Sequence, residues 1–133
     1  MAPPAVAWFE VTGRDGAALQ RFYGDLFGWK IDDAGDGSGY GLVASSGTGI
    51  AGGIGASQDG GPGGVTFYVE VDDPDAYLAK VERLGGKTIV QPTEVEEFGL
   101  TFAAFADPEG HIVGLSRGVA QERTFRGRGE TRR

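Results

Sequence analysis

The alternation of apolar and polar positions is most regular between Gly63 and Gly86, GGVTFYVEVDDPDAYLAKVERLGG. Val65 to Val71 is a run of strand-forming residues, and the stretch that follows Asp72-Asp73-Pro74-Asp75 places Tyr77, Val81 and Leu84 at helical spacing. Asp73 is suited to cap free backbone N–H groups, Pro74 to the first helical position, and Asp75 to the positive end of the helix dipole. Gly85-Gly86 predicts the helix stop.

A paler copy of this unit opens the chain. After Pro3-Pro4, Ala5 to Val11 reads as a strand with Val6, Trp8 and Glu10 on one face and Ala7, Phe9 and Val11 on the other. Asp15 then caps a helix through Phe27, whose Leu19, Phe22, Tyr23, Leu26 and Phe27 predict a core-facing stripe, and Gly28 ends it. Short strands follow at Trp29 to Ile31, Tyr40 to Ser45 and Ile50 to Ala56, separated by glycine-rich turns, with Gln58 to Gly64 as a linker. In the second half a strand from Lys87 is expected to break at Pro92, with Thr93 to Phe98 continuing it or looping over a site. Leu100 to Ala106 and His111 to Ser116 form a hairpin across Asp107-Pro108-Glu109-Gly110.

The order β-α-β-β-β thus occurs twice. Val6 to Val11 precede Thr66 to Val71 by 60 residues, and from Asp15 onward an offset of 58 aligns Asp15 with Asp73 and Leu26 with Leu84. Neither half has enough apolar surface to stand alone. The expected class is α+β: paired βαβββ modules forming a concave, partly closed mixed sheet with helices outside, and a groove as the default ligand site. Residues 1–117 read as one domain, with modules at 5–57 and 64–117, and residues 118–133 as a basic, disordered tail.

Composition narrows the chemistry. The 133 residues carry a net charge of −7. Five arginines against two glutamates give residues 118–133 a local +3, so the first 117 carry −10, a body that repels nucleic acid phosphates. The absence of cysteine rules out disulfides, thiolate metal sites and cysteine nucleophiles, and suits a reducing cytoplasm. No cationic leader or long apolar run argues for secretion or membrane insertion. The glycines at 47, 49, 52, 53 and 55 match neither a dinucleotide fingerprint nor a P-loop, and instead suit close backbone approach.

DGAALQRFYGDLFGW, then VTFYVEVDDPDAYLAKVERLGG, then FADPEGHIVGL together resemble the vicinal oxygen chelate superfamily, which includes glyoxalase I, extradiol dioxygenases and bleomycin resistance proteins. FYGDLFGW with the ADPEG turn looks most like its glyoxalase-like hydroxylase branch. The resemblance implies a metal quartet of histidine or glutamate on the first and last strands of each half. By strand phase those positions fall on Val6, Thr66, Gly114 and a residue near Gly53, none of which is an ordinary metal donor. The expectation is therefore a protein without metal or other cofactor.

The candidate ligand-binding residues are Trp8, Glu10, Tyr68, Glu70, Tyr40 and Phe105, and the candidate catalytic residues are Glu70, Glu10 and His111. The aromatics offer a flat apolar wall, the two glutamates share the inward phase, and His111 is the only histidine. The bland readings are solvated strand-end carboxylates, a surface turn histidine and ordinary aromatic burial. The leading function is metal-independent binding of an aromatic or amphipathic small molecule, the acidic body suiting a cationic one, as in bleomycin resistance proteins. Two alternatives stand beside it: a cofactor-free isomerase, lyase or hydrolase using pocket carboxylates, and a protein interaction module with a collapsed groove. The resemblance also implies a homodimer.

Overall fold

A computed structural model describes residues 3–119. The basic tail expected from residue 118 lies outside these apart from its first two residues. The elements run β1 (Val6–Gly13), α1 (Gly16–Phe27), β2 (Ile31–Asp33), β3 (Gly41–Val43), β4 (Ala51–Ala56), β5 (Gly64–Glu70), α2 (Pro74–Arg83), β6 (Lys87–Val95), a 3₁₀ turn at Glu96–Phe98, β7 (Leu100–Ala106) and β8 (Ile112–Arg117). The fold is α+β, and the order β-α-β-β-β does occur twice. The chain divides into two compact units, residues 8–66 and residues 3–7 with 67–119.

In the unit of residues 8–66, β1 and β4 are parallel, while β4–β3 and β3–β2 are antiparallel. The long β1-to-β4 connection carries α1, as a parallel pair requires. Asp15 caps α1 by accepting from the Ala18 N–H at 3.0 Å. Gly28 closes it at φ 72°, where its own N–H donates to Gly24 O at 2.8 Å. Helix and sheet meet without bulk: Gly16 is buried, and a Cβ there would lie 2.5 Å from the Ala56 backbone nitrogen.

That close seat corrects the expected stripe on α1. Leu19 and Tyr23 are only half-buried, and Phe22, Leu26 and Phe27 are 56–57% exposed. The helix approaches β4 through Gly16 and Gln20, whose Nε2 donates to Ile54 O at 2.7 Å, so the apolar stripe is turned partly toward solvent. Its aromatic members cluster with Trp29, whose ring centroid lies 4.9 Å from Phe27 and 5.6 Å from Phe9.

The other unit repeats the topology. β5 and β8 are parallel, β8–β7 and β7–β6 antiparallel, and α2 packs over β6, β7 and β8. Asp73 caps α2 with Pro74 in its first turn, as its sequence dictates. Val71, Leu78, Ala103 and Leu115 form the buried cluster beneath α2. Leu84 is exposed, and the buried residues of the helix are Pro74 and Leu78. Pro92 does not break β6. The strand runs through it with register shifts on both sides of Val90, which an edge strand tolerates because one row of its backbone groups has no ladder partner. Residues 3–7 belong to this unit, where the Glu70 N–H donates to Ala5 O at 2.9 Å. Among the described residues, no helix is long and apolar enough to cross a membrane.

Candidate functional site

Strand alternation separates two faces in each unit. In residues 8–66, Phe9 faces the α1 aromatics, so Trp8 and Glu10 lie on the face away from the helix. Trp8 stands opposite Ala51, and Glu10 opposite Gly53, which in turn pairs with Leu42 of β3. Tyr40 comes to this face from the residue just before β3. Its hydroxyl accepts from Trp8 Nε1 at 3.2 Å and donates to Glu10 Oε2 at 2.8 Å. All three residues are part-buried.

Glycine makes this arrangement fit. A Cβ on Gly53 would overlap the phenolic end of the Tyr40 ring, and one on Gly55 would lie 3.0 Å from its Cδ1. The ring therefore rests along the bare backbone of β4, from Gly55 to Gly53. Its own backbone is held by neighbours: the Tyr40 N–H donates to Ser38 Oγ at 3.1 Å, and the Ala34 N–H to Tyr40 O at 2.9 Å. Gln20 Nε2 also donates to Gly39 O at 2.9 Å. The glycines of β4 announced close backbone approach, but nothing in the sequence named Tyr40 as the group that approaches or Gln20 as the residue that places it.

Tyr68 and Glu70 lie in the other unit, on the face of β5 away from α2. Tyr68 stands opposite Gly114, and its ring occupies the space a Cβ on Gly114 would need. Glu70 is held on both oxygens. Oε1 accepts from Ser116 Oγ at 3.0 Å and from the Val119 N–H at 3.2 Å, and Oε2 from the Gly118 N–H at 2.7 Å. Phe105 lies on the helix side, packed against the Val71–Leu78–Ala103–Leu115 cluster. His111 follows the β7–β8 turn with a side chain 74% exposed, its Nδ1 3.1 Å from Asp107 Oδ2. The His111 backbone N–H, donating to Asp107 Oδ1 at 2.9 Å, holds that carboxyl below its usual range. The structure thus brings Trp8, Glu10 and Tyr40 together and puts Phe105 and His111 in other surroundings.

The register also sharpens the metal positions. Gly114 stands opposite Tyr68 as Ala51 stands opposite Trp8, so the fourth position falls on Ala51, two residues from Gly53. Val6, Thr66, Ala51 and Gly114 supply no carboxylate or imidazole, and at Gly114 a tyrosine ring fills the space a ligating side chain would use. Among the described residues, no three His, Cys, Asp or Glu side chains are grouped to hold a metal ion. The residues present do not fit a divalent metal. A separate shallow depression of about 400 Å³ lies beside α1, lined by Arg21, Asp25, Trp29 and Ile31 among others, and contains none of the site candidates.

The sequence model of the family described as "glyoxalase-like domain" matches residues 8–115. The anthracycline biosynthesis protein DnrV of Streptomyces peucetius is 38% identical over 133 aligned positions, covering 87% of this chain and 48% of that protein. The chain spans about half the length of the curated relatives it matches. Among solved structures, methylmalonyl-CoA epimerase from Mycobacterium tuberculosis superposes with a TM-score of 0.63 at 18% identity, over 88% of this chain and 91% of that one. A glyoxalase/bleomycin resistance protein/dioxygenase superfamily member from Vibrio splendidus 12B01 superposes with a TM-score of 0.60 at 14% identity, over 86% and 99%. At such identities the structural likenesses speak for the fold alone.

Proposed function

Since this chain belongs to the glyoxalase-like domain family, within the vicinal oxygen chelate superfamily of small-molecule-binding domains, we propose that it binds a planar, amphipathic aromatic compound without a metal. The ligand is held on the helix-free face of residues 8–66 and is sequestered rather than transformed. The observation that carries this reading is the Trp8–Tyr40–Glu10 set over the glycines of β4, an aromatic surface with one donor and one anionic acceptor. Glu10 and the net charge of −7 favour ligands that carry a hydroxyl or a cationic group. The relative named for anthracycline biosynthesis supports a multi-ring aromatic as ligand class. FYGDLFGW with the ADPEG turn supports a place in the hydroxylase-like branch of the superfamily.

Thermal-shift and calorimetric screening of hydroxylated polycyclic aromatics, including anthracyclines, tests this. A saturable ligand is expected whose affinity is unchanged by EDTA and falls about tenfold in Glu10→Gln, the loss of one charge-assisted hydrogen bond. No binding across the panel, or binding abolished by chelator, overturns the reading. A second reading, acid–base turnover of the bound compound, draws support from the 2.8 Å Tyr40–Glu10 hydrogen bond. Product formation that disappears in Glu10→Gln would favour it.

We also propose a homodimer, supported by the exposed Phe22, Leu26 and Phe27 on α1. Surface apolar clusters of this kind mark contact faces. Sedimentation of the purified chain is expected to show a dimer, and Leu26→Glu a monomer. A wild-type monomer removes the proposal.

A further inference from the structure

The residues around Tyr40 form a receptor for a phenol, and that receptor is filled by the protein's own side chain. A phenol presents a flat ring, one O–H donor and one acceptor oxygen. The bare strand β4 takes the ring, with Gly53 under its hydroxyl end and Gly55 beside Cδ1. Glu10 Oε2 accepts the O–H at 2.8 Å and Trp8 Nε1 donates to the oxygen at 3.2 Å. Each element of the ligand is matched, and the matching elements come from separate strands, β1 and β4, while the ring is delivered from outside both. Tyr40 follows Gly35, Gly37 and Gly39, all at positive φ, in a segment tied at its ends by Gln20 and Ala34. Its backbone is anchored, so any exit of the ring from the slot runs through rotation about its side-chain bonds.

We propose that Tyr40 is an internal stand-in for the ligand, and that a hydroxylated aromatic ring binds by displacing it and taking its place on Gly53 and Gly55, between Trp8 and Glu10. This rests on the small-molecule reading above and names the ligand's recognised group. A selectivity follows. A tethered ring competes at high effective concentration, so a single free phenol displaces it poorly. A multi-ring phenolic compound recovers the same two hydrogen bonds and adds apolar area that Tyr40 does not cover.

The test uses p-cresol, which is the tyrosine side chain cut at Cβ, and toluene, which lacks the hydroxyl. Calorimetry on the full chain is expected to rank p-cresol affinity as Tyr40→Ala above Tyr40→Phe above wild type. The span between the ends should be at least about tenfold, because the tethered competitor is removed. Toluene should bind Tyr40→Ala at least about tenfold more weakly than p-cresol, because it leaves Trp8 Nε1 and Glu10 without the hydroxyl. Equal p-cresol affinity in all three proteins, or equal affinity of toluene and p-cresol for Tyr40→Ala, overturns the proposal. If Tyr40→Ala does not fold, Tyr40→Phe carries the test, since it keeps the ring's shape and loses the hydroxyl's hydrogen bonds to Trp8 and Glu10. Wild-type protein that binds nothing in the aromatic panel, beside a Tyr40→Ala that binds p-cresol, would overturn the functional reading and leave the slot standing. The reverse pattern would overturn the slot alone.

Discussion

Glu70→Ala is expected to lower the unfolding free energy by roughly 3 kcal/mol, because each donor left without its acceptor costs about 1–3 kcal/mol. Three donors converge on this carboxylate, and one of them, the Ser116 hydroxyl, belongs to a residue only 1% exposed. The other two are the backbone N–H groups of Gly118 and Val119, so the carboxylate fastens the chain that leaves β8 to the neighbouring strand β5. For a domain of this size the loss corresponds to a fall in Tm on the order of 10 °C. Glu70→Gln keeps one acceptor oxygen and turns an amide N–H₂ toward a donor, so an intermediate loss is expected. Glu10→Ala is the contrast: it gives up the hydrogen bond from the Tyr40 hydroxyl, and its main expected effect is weaker ligand binding. Chemical denaturation of the three variants checks this, and a Glu70→Ala protein as stable as wild type would show that the clamp contributes nothing.

The contrast between the two glutamates marks where sequence reading stops. Local rules carried the elements: Asp15 and Asp73 cap the helices, Gly28 ends the first one in the left-handed region, and DPEG turns β7 into β8, because each signal acts within a few residues of its effect. The repeat was legible for the same reason. Glu10 and Glu70 occupy matching strand positions, yet their partners lie 30 and 46 to 49 residues away, and only the folded register makes one the neighbour of a phenol and the other the anchor of a chain segment. Phase likewise could not place Phe105, since an apolar strand reads alike from either face. The α1 stripe is turned partly to solvent because the helix seats through Gly16 and Gln20, a contact that leaves no hydrophobic signal in the sequence. The missing metal donors could be read directly, whereas the tyrosine ring filling the space over Gly114 could not.

Gly53→Leu is expected to abolish ligand binding, with affinity reduced at least about 100-fold, or roughly 2.7 kcal/mol. A side chain at residue 53 projects into the volume now held by the phenolic end of Tyr40, and any ring replacing Tyr40 needs the same floor. The leucine therefore excludes both occupants and strips Trp8 Nε1 and Glu10 Oε2 of their shared hydroxyl. Tyr40 is the far end of a flexible side chain and can swing into solvent, so the stability cost should remain near the about 1–3 kcal/mol typical of overpacking, leaving a folded protein to assay. Gly114→Leu is the matched control. It displaces Tyr68 on β5 in the same manner and at a similar cost in stability, while Trp8, Glu10, Tyr40, Gly53 and Gly55 all keep their side chains. Its ligand affinity should stay within about threefold of wild type, a change of less than 1 kcal/mol. Equal loss of binding in both variants would overturn the β4 glycines as the specific floor of the site, and loss in Gly114→Leu alone would place recognition on β5 and β8 instead.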